Sequence, residues 1–293
     1  MTTILSGSAS QALAGRLARA LEATLLETSY DRFPNGDLFV SLDVDHDLAL
    51  EDERVIVVAS TASSDAHLEL LLLQDAAREA GATEIVTVIP YMGYDRQEQA
   101  FNPGEPVSSR AVARAISSGT DEVVLVTPHE DVVCDFFEPT ARQIDGATVL
   151  ADALPDDLDH PVFIAPDVGA VSLAETVREA YGRGSTDYFE KTRHSETAVD
   201  ISPSDIDVDG RDVVVVDDSI STGGTMSEAV GVLTQRGVGR VYVTCVHPVL
   251  ARSAVTRLYT AGVEAIYGTD TLERAVSSVS VAPVLAETLE LTE

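Results

Sequence analysis

Residues Val213–Thr225 read VVVVDDSISTGGT, four β-branched residues followed by two acids and a loop of hydroxyl residues and glycine. Val213–Val216 show no polar alternation, which predicts a buried parallel strand that is covered on both faces. Asp217 and Asp218 follow at the carboxyl end of this strand, where open α/β sheets bind their ligands. The stretch therefore predicts an α/β fold with a ligand site at this strand.

The loop that follows has the composition of a phosphate-binding loop. Its two glycines let backbone N–H groups converge, and the helix predicted at Met226–Gln235 adds the positive end of its dipole. No lysine follows the glycines, so this is not the P-loop of triphosphate-binding proteins. Because the acids are placed to accept hydrogen bonds from sugar hydroxyls, the predicted ligand is a pentose 5-phosphate. Its expected contacts are Asp217, Asp218, Ser219, Ser221, Thr222, Gly223, Gly224 and Thr225. The alternative is an acid pair that binds a metal ion above an ordinary glycine turn.

The same pattern occurs twice. Val55–Pro90 and Val213–Pro248 have equal lengths, and each runs from an apolar strand through a hydroxyl-rich loop and a helix to a second apolar strand. The first copy reads VIVVASTASSDAH, without the acid pair and the double glycine, so only the second is expected to bind a sugar phosphate. We predict two tandem α/β domains, 1–145 and 146–293, each a mostly parallel sheet flanked by helices. Polar residues near 144–160 are the expected crossing, and the last helix is expected to pack back on the first domain.

Several other elements are predicted from periodicity and capping. Ser10 precedes a helical pattern of leucines and is expected to cap that helix. Leu38–Leu42 alternates as a strand does, Ser108–Ser117 has the pattern of a helix, and Val162–Ala165 is a short apolar strand.

The acidic composition limits the partners. The chain has 49 Asp and Glu against 19 Lys and Arg, a formal net charge of -30, which argues against a nucleic-acid or anionic-membrane surface. Hydrophobic residues make up 45%, so the acids belong to the surface of a folded protein of the kind adapted to a very salty cytoplasm. The sequence shows no basic apolar leader, no membrane span and no metal or redox spacing around its two cysteines. We expect a cytoplasmic protein.

DDSISTGGT resembles the loop of the type I phosphoribosyltransferase fold, and its flanks resemble the ribose-phosphate pyrophosphokinase family in an archaeal, halophilic type. The resemblance covers essentially the whole chain, and its motifs occur in order. It implies two phosphoribosyltransferase-like domains. The first would lie on the nucleotide side, and the second would carry the ribose 5-phosphate loop.

The resemblance also implies an adenine site. In the family, a turn made of an aromatic residue, Asn or Asp, Gly and an acid holds adenine and ribose from a neighbouring subunit. The matching residues here are Phe33, Asn35 and Asp37. Taken alone, this stretch reads as a plain hairpin turn with a buried Phe. Because the family's turn serves a neighbouring subunit, the resemblance implies a homodimer or a larger homo-oligomer.

A long polar loop follows the apolar strand Ile85–Ile89 and is similar to the nucleotide loop of the family. Arg96 and Gln97 match the pair that contacts ATP in that family. Arginine suits a polyphosphate because its donors form a fixed fork. The alternative is a solvated loop that is held by surface ion pairs.

His129 matches a family histidine near the ATP phosphates and the metal. Thr127 and Pro128 stand where the family usually has an acid and an apolar residue. Glu130 and Asp131 are candidates to supply the missing charge. A histidine in such a place is otherwise a capped loop residue.

Three further residues match family positions in the second domain. Asp167 is expected to cap the helix that follows it, and the resemblance adds contacts to metal and ribose. Lys191 and Arg193 match a mobile loop whose two cations stabilise the phosphates during transfer, and in an extended segment residues two apart point the same way. Lys191 is also the single lysine of the chain, beside eighteen arginines. The implied cofactor is Mg²⁺, with His129 and Asp167 as its ligands.

The implied reaction is a Mg-dependent transfer of the diphosphoryl group of ATP to the 1-hydroxyl of ribose 5-phosphate, which gives phosphoribosyl pyrophosphate and AMP. Two alternatives remain open. One is a phosphoribosyltransferase that consumes phosphoribosyl pyrophosphate, and the other is a non-catalytic regulatory homologue. The intact Lys191 and Arg193 argue against a silent homologue, whereas Thr127 favours it.

Overall fold

A computed structural model of the protein describes residues 1–44, 49–193, 199–203 and 207–290, with the backbone alone at 190–193 and 199–203. The described chain divides into two units. The N-terminal unit contains residues of 1–145, 271–273 and 280–290, and the C-terminal unit contains residues of 146–270 and 274–279.

The N-terminal unit is built on a six-stranded parallel sheet with the strand order β2-β1-β5-β6-β7-β8. Its strands are β1 (Thr2–Ser6), β2 (Thr24–Leu25), β5 (Arg54–Val58), β6 (Glu84–Ile89), β7 (Glu122–Val126) and β8 (Thr140–Ile144). A separate antiparallel hairpin consists of β3 (Thr28–Arg32) and β4 (Leu38–Leu42). Its helices are α1 (Gln11–Ala20), α2 (Ser64–Glu79), α3 (Ser108–Ser117), a 3-10 helix at Asp131–Phe136, and α7 (Ala282–Glu290).

The C-terminal unit is built on a seven-stranded sheet with the strand order β11-β10-β9-β12-β13-β14-β15. All neighbours pair in parallel except β10 and β11. The strands are β9 (Val162–Ala165), β10 (Ser185–Arg193), β11 (Val199–Pro203), β12 (Val213–Ser219), β13 (Val241–His247), β14 (Ala265–Thr269) and β15 (Ser277–Val279). The helices are α4 (Val171–Tyr181), α5 (Gly224–Gln235), α6 (Ala254–Ala261) and 3-10 helices at Thr148–Ala153 and Val168–Ala170.

Runs of β-branched residues form the centre of each sheet. Val55–Val58 in β5 and Val213–Val216 in β12 are fully buried, as expected for parallel strands that are covered on both faces. The helices that follow them, α2 and α5, contribute Leu70 and Leu233 to the two cores. Each unit is a mostly parallel sheet flanked by helices, as the sequence predicted.

Several boundaries differ from the prediction. β12 continues through the acid pair to Ser219 because Asp217 and Ser219 still pair with β13. Helix α5 begins at Gly224, two residues before the predicted start. Strand β10 continues to Arg193 and so includes Lys191 and Arg193, which the resemblance assigns to a mobile loop.

The predicted crossing near 144–160 contains the division between the two units, at residues 145 and 146. It forms the end of β8 and a 3-10 helix, and it buries Ala147, Leu150, Leu154 and Leu158. Among the helices of the described residues, none combines the length and the apolar character that a membrane crossing requires.

Candidate active site

The acid pair lies at the carboxyl end of β12, the central strand of the C-terminal unit. Asp217 is paired with Cys245 of β13. The backbone N–H of Asp218 donates to Oδ1 of Asp217 at 3.0 Å, and the Ser219 hydroxyl donates to Oδ1 of Asp218 at 3.2 Å. These contacts hold the two carboxylates close together at the carboxyl end of the central strand.

This proximity is unfavourable for two negative charges. Burial raises the pKa of Asp217 well above its ordinary value, and the charge of Asp218 raises it further. Asp167, which follows β9, adds a smaller effect in the same direction. A ligand that supplies hydrogen-bond donors or a positive charge would relieve this repulsion, so the site favours sugar hydroxyls or a cation.

The loop after the acids is fixed by the chain that follows β13. The N–H of Ile220 donates to the carbonyl of His247 at 3.1 Å, and the N–H of Ala251 donates to the carbonyl of Ser221 at 2.9 Å. Thr222 and Thr225 are nevertheless exposed, and Ser221 is half-exposed. The backbone of the loop is therefore held in place while its hydroxyls remain accessible to a ligand.

Gly223 is the residue that turns this loop into helix α5. Its φ of 70° lies in the left-handed region, and a Cβ there would lie 3.4 Å from the carbonyl oxygen of Ala254. Within the described residues, no side chain caps the N-terminus of α5. The first N–H groups of a helix require a partner, and a phosphate suits them.

The corresponding helix of the first copy differs at this point. Ser63 caps α2 by accepting from the N–H of Ala66 at 3.1 Å. Asp65, in the first turn, forms an ion pair of 2.5 Å with Arg32. The N-terminus of α2 thus has a side-chain cap and a charged first turn from the chain itself, whereas that of α5 is open to an anion.

Gly223→Ala is expected to weaken ribose 5-phosphate binding by about tenfold, because an L-residue in the left-handed region costs about 1–2 kcal/mol. Gly231→Ala in the same helix is the matched control, since a Cβ there meets no atom within 4 Å. That control is expected to raise stability by about 0.5–1 kcal/mol without changing binding. The measurements are the KM for ribose 5-phosphate and the Tm of both variants. Equal KM values for the two variants would show that the loop does not bind the phosphate.

Asp167 has the capping role that the sequence predicted. It is extended, with φ −162°, and its Oδ1 accepts from the N–H of Gly169 at 3.0 Å. The helix that it caps is the 3-10 turn Val168–Ala170, which leads directly into α4. Its charge contributes to the raised pKa of Asp217, and its predicted role as a metal ligand stays a prediction.

Lys191 and Arg193 lie in a strand and not in a loop. β10 continues through both, and it pairs antiparallel with β11 so that Lys191 is opposite Ile201 and Arg193 is opposite Val199. The two residues therefore occupy positions two apart in an extended backbone. Their side chains lie outside the described residues, so their catalytic role stays a prediction.

In the N-terminal unit, the predicted adenine turn is the tip of the hairpin. The N–H of Phe33 donates to the carbonyl of Asp37 at 2.9 Å, and Nδ2 of Asn35 donates to Oδ2 of Asp37 at 2.5 Å. Phe33 is 51% exposed and packs edge-on against Phe39, with 5.2 Å between the ring centroids. The alternative of a hairpin with a buried Phe is therefore wrong, and an aromatic surface is presented to solvent.

The loop of Arg96 and Gln97 is ordered by the helix that follows it. The hydroxyls of Ser108 and Ser109 donate to Oε1 and to the carbonyl of Gln97 at 2.5 and 2.9 Å. Arg96 is exposed. Gln97 thus fixes the start of α3, and Arg96 is the residue of the pair that is presented to solvent.

His129 lies at the carboxyl end of β7, next to the loop of Arg96. Its backbone N–H donates to Oδ2 of Asp95 at 3.2 Å. Sequence reasoning missed Asp95, because a single acid in a polar loop gives no sign that it is buried. Asp131, one of the two candidates for the missing charge, accepts from Nε2 of Gln143 at 2.7 Å, and the role of Glu130 or Asp131 stays a prediction.

No group of three or more His, Cys, Asp or Glu side chains that suits a metal ion occurs in the part of the chain that the structure describes. Magnesium is often bound by one or two carboxylates together with substrate phosphates, so such a group is not required for it. The oxygen donors of Asp167 and of the acid pair are the kind that Mg²⁺ prefers.

Two mostly parallel α/β units, one with an acid pair before an uncapped helix, define a protein with phosphoribosyltransferase-type domains. Family models agree: the N-terminal domain of ribose phosphate pyrophosphokinase matches residues 2–119, and the phosphoribosyl transferase domain matches residues 141–261. A ribose-phosphate pyrophosphokinase from Halobacterium salinarum is 56% identical over 98% of this chain and 100% of its own length. The chain belongs to the ribose-phosphate pyrophosphokinase family.

Two further comparisons extend this result. A ribose-phosphate pyrophosphokinase from Methanosarcina mazei is 44% identical over 98% of this chain and 94% of its own length. The crystal structure of phosphoribosylpyrophosphate synthetase from Mycobacterium smegmatis has a TM-score of 0.83 and 27% identity, and it covers 99% of this chain and 98% of that one. The predicted family, the fold of two phosphoribosyltransferase-like domains and the class of enzyme are confirmed. The relative from Halobacterium also fits the predicted halophilic type.

Proposed function

We propose that the protein transfers the diphosphoryl group of ATP to the 1-hydroxyl of ribose 5-phosphate, with Mg²⁺, and yields phosphoribosyl pyrophosphate and AMP. The observation that carries the proposal is the contrast between the two copies of the repeated unit. The first copy caps its own helix through Ser63, whereas the second presents an acid pair and an uncapped helix. One sugar-phosphate site per chain, with the other unit left for the nucleotide, is what this reaction requires.

Ribose 5-phosphate is bound by the C-terminal unit in this proposal. The phosphate accepts hydrogen bonds from the first N–H groups of α5 and from the hydroxyls of Ser221, Thr222 and Thr225. Asp217 and Asp218 accept from the vicinal hydroxyls of the sugar. The raised pKa of Asp217 supports this assignment, because the donors of a sugar favour the charged form of a carboxylate that is destabilised without them.

ATP is bound by the N-terminal unit in this proposal. Arg96 and His129 contact the phosphates, and the hairpin tip with Phe33, Asn35 and Asp37 serves the adenosine of a neighbouring subunit. The exposure of Arg96 and of the Phe33 ring supports these roles, since both groups are accessible to a ligand.

Mg²⁺ would be held by Asp167 and His129 together with the phosphates of the nucleotide. When bound, it would neutralise charge on the transferred group. The composition favours this requirement, because a chain with a net charge of -30 has few cations for a triphosphate.

The transfer itself joins the 1-hydroxyl oxygen of the sugar to the β-phosphorus of ATP. The bond between that phosphorus and the oxygen that bridges to the α-phosphorus breaks, AMP leaves, and the hydroxyl loses its proton. Such phosphoryl chemistry depends mainly on positioning and on charge stabilisation. Lys191 and Arg193 are the residues proposed to stabilise the charge that develops on the transferred group.

The test is incubation of the purified protein with ATP, Mg²⁺ and ribose 5-phosphate in concentrated KCl, followed by quantification of AMP and phosphoribosyl pyrophosphate. Equal amounts of the two products are expected. A second incubation contains phosphoribosyl pyrophosphate and free bases, to detect a phosphoribosyltransferase. Release of a nucleotide only in that second reaction, or no product in either, would overturn the proposal.

The exposed hairpin tip also leads to a prediction of oligomeric state. An aromatic pair of Phe33 and Phe39 on the surface, predicted to complete the nucleotide site of another subunit, requires at least a dimer. Light scattering in concentrated KCl, measured together with activity across a dilution series, checks this expectation. A fully active monomer would contradict it.

A further inference from the structure

Asp95 is a buried carboxylate in a loop whose neighbouring residues are exposed. It is 6% exposed, whereas Tyr94 is 48% exposed and Arg96 is also exposed. A buried carboxylate is costly unless hydrogen bonds satisfy it, so its place in the fold demands defined partners. One partner is the backbone N–H of His129, which donates to Oδ2 at 3.2 Å.

This hydrogen bond joins two loops that carry proposed nucleotide contacts. Asp95 lies in the loop after β6, next to Arg96, and His129 lies in the loop after β7. The two strands are parallel neighbours, so their carboxyl ends meet at one edge of the sheet. The hydrogen bond thus links the loop that carries Arg96 to the loop that carries His129.

The backbone on both sides of this link is in an unfavourable conformation. Tyr94, immediately before Asp95, has a φ of 69°, and Thr127, two residues before His129, has a φ of 39°. Non-glycine residues seldom adopt this left-handed region, and a β-branched residue such as Thr127 does so least readily. Such conformations persist only where the surrounding contacts enforce them, and they concentrate at functional sites.

The base of the Arg96 loop is anchored by the first copy of the repeated unit. The N–H of Gly93 donates to the Thr61 hydroxyl at 3.0 Å, and a Cβ at Gly93 would lie only 2.2 Å from the Thr61 carbonyl oxygen. No side chain fits in that space, so the backbone at Gly93, directly before Tyr94, is held in place against Thr61. Asp95 is the next position at which the loop is held, and its contact reaches the loop of β7.

We propose that Asp95 is a positioning residue that sets Arg96 and His129 at the separation that the nucleotide phosphates require. The inference rests on the proposed function for the identity of the ligand. It assigns to Asp95 no contact with substrate, and it concerns only the hydrogen bond that the carboxylate accepts from the His129 backbone. Partners of this kind, which orient the groups that touch a ligand or metal, typically change affinity or activity by about 10–100-fold when they are removed.

Three variants of the full chain test this role: Asp95→Ala, Asp95→Asn and Glu98→Ala. Asp95→Ala removes the acceptor, and Asp95→Asn keeps a weaker neutral acceptor. Glu98→Ala is the matched control, because Glu98 is an acid of the same loop that accepts from Nε2 of Gln99 at 3.0 Å. Each is measured in concentrated KCl for the KM of ATP, the KM of ribose 5-phosphate, kcat and Tm. Amide hydrogen exchange of peptides that contain His129 is recorded without ligands.

Asp95→Ala is expected to raise the KM of ATP by about tenfold or more, with the KM of ribose 5-phosphate within about threefold of the parent. The KM of ATP in Asp95→Asn is expected to lie between those of Asp95→Ala and the parent. The KM of ATP in Glu98→Ala is expected to match that of the parent. Exchange at His129 is expected to accelerate in Asp95→Ala but not in Glu98→Ala.

An unchanged KM of ATP in Asp95→Ala, or an equal rise in the KM of both substrates, would overturn the inference, because it would leave Asp95 with a general structural role. If Asp95→Ala does not fold, Asp95→Asn decides: a selective rise in the KM of ATP supports the role, and parental values overturn it. If the parent itself forms no phosphoribosyl pyrophosphate, the proposed function fails. The exchange measurement then still shows whether Asp95 holds the loop of His129.

Discussion

Lys191→Ala is expected to lower turnover by roughly a hundredfold or more, by analogy with the loss of one preorganised donor. The fold and the binding of ribose 5-phosphate are expected to remain nearly unchanged. Lys191 is the single lysine of a chain with eighteen arginines, and it lies two residues before Arg193 in a strand. Lysine carries a compact charge on a flexible stem that can follow a moving phosphate, whereas arginine presents a fixed fork. Interactions made mainly in the transition state lower the rate when they are removed and scarcely affect ground-state binding.

Two further variants make this test specific. Lys191→Arg keeps the charge and is still expected to be impaired, because the guanidinium has a different shape and reach. Arg236→Ala removes an exposed charge at the end of α5, away from the acid pair, and is the control for net charge. Single-turnover and steady-state rates, the KM of ribose 5-phosphate and Tm are measured for all three. Turnover of Lys191→Ala within about threefold of the parent would identify Lys191 as an ordinary surface residue.

Stability and activity are both expected to rise steeply as KCl increases toward the molar range. If each of the 19 basic residues neutralised one acid, 30 of the 49 acids would still lack a cationic partner. Salt screens this repulsion, since the Debye length falls from about 10 Å at 0.1 M to about 3 Å at 1 M. Salt also weakens ion pairs such as Arg78–Asp121, but exposed pairs contribute only about 0–1 kcal/mol each. The relief of repulsion is therefore expected to be the larger effect.

Tm and initial rate across a KCl series provide the measurement, with a sucrose series of matched osmolality as the control. Sucrose stabilises proteins by exclusion and does not screen charge. We expect the KCl curve to rise most steeply below about 1 M and to flatten above it, as the Debye length does. Equal Tm and activity in dilute and concentrated KCl, or identical curves for KCl and sucrose, would contradict the explanation by charge.

Helices and strands with a local signal were predictable from the sequence. Leu38–Leu42, Ser108–Ser117 and Val162–Ala165 have the predicted bounds, since each carries its own periodicity or apolar run. The acid pair and the glycine loop were also located correctly. Their residue types are rare in a buried strand and in a helix interior, and they therefore mark a ligand site at the strand end.

Features that depend on distant contacts were not predictable. The end of β12 was placed too early, because Asp217 and Ser219 have low strand propensity and are held in the strand by pairing with β13. Ser10 precedes α1 as expected, but it makes no side-chain cap, since its hydroxyl accepts from the N–H of Ser60 at 2.9 Å. The burial of Asp95 depends on the position of His129, 34 residues away. No local pattern in the sequence records such a contact.

The carboxylate that caps α1 comes from the other end of the chain. Oε1 of Glu273 accepts from the N–H groups of Ala12 and Leu13 at 2.7 and 3.1 Å. Helix α7 packs against α1, and the carbonyl of Leu289 accepts from Nη1 of Arg54 at 3.3 Å. Proteins made of several domains generally fold from the N-terminus as the chain leaves the ribosome. Here the first sheet can assemble early, but α1 lacks the carboxylate of Glu273 and its contact with α7 until residues 273–290 have been translated. Completion of the N-terminal unit therefore has to wait until the C-terminal unit, which lies between its segments in the sequence, has been synthesised.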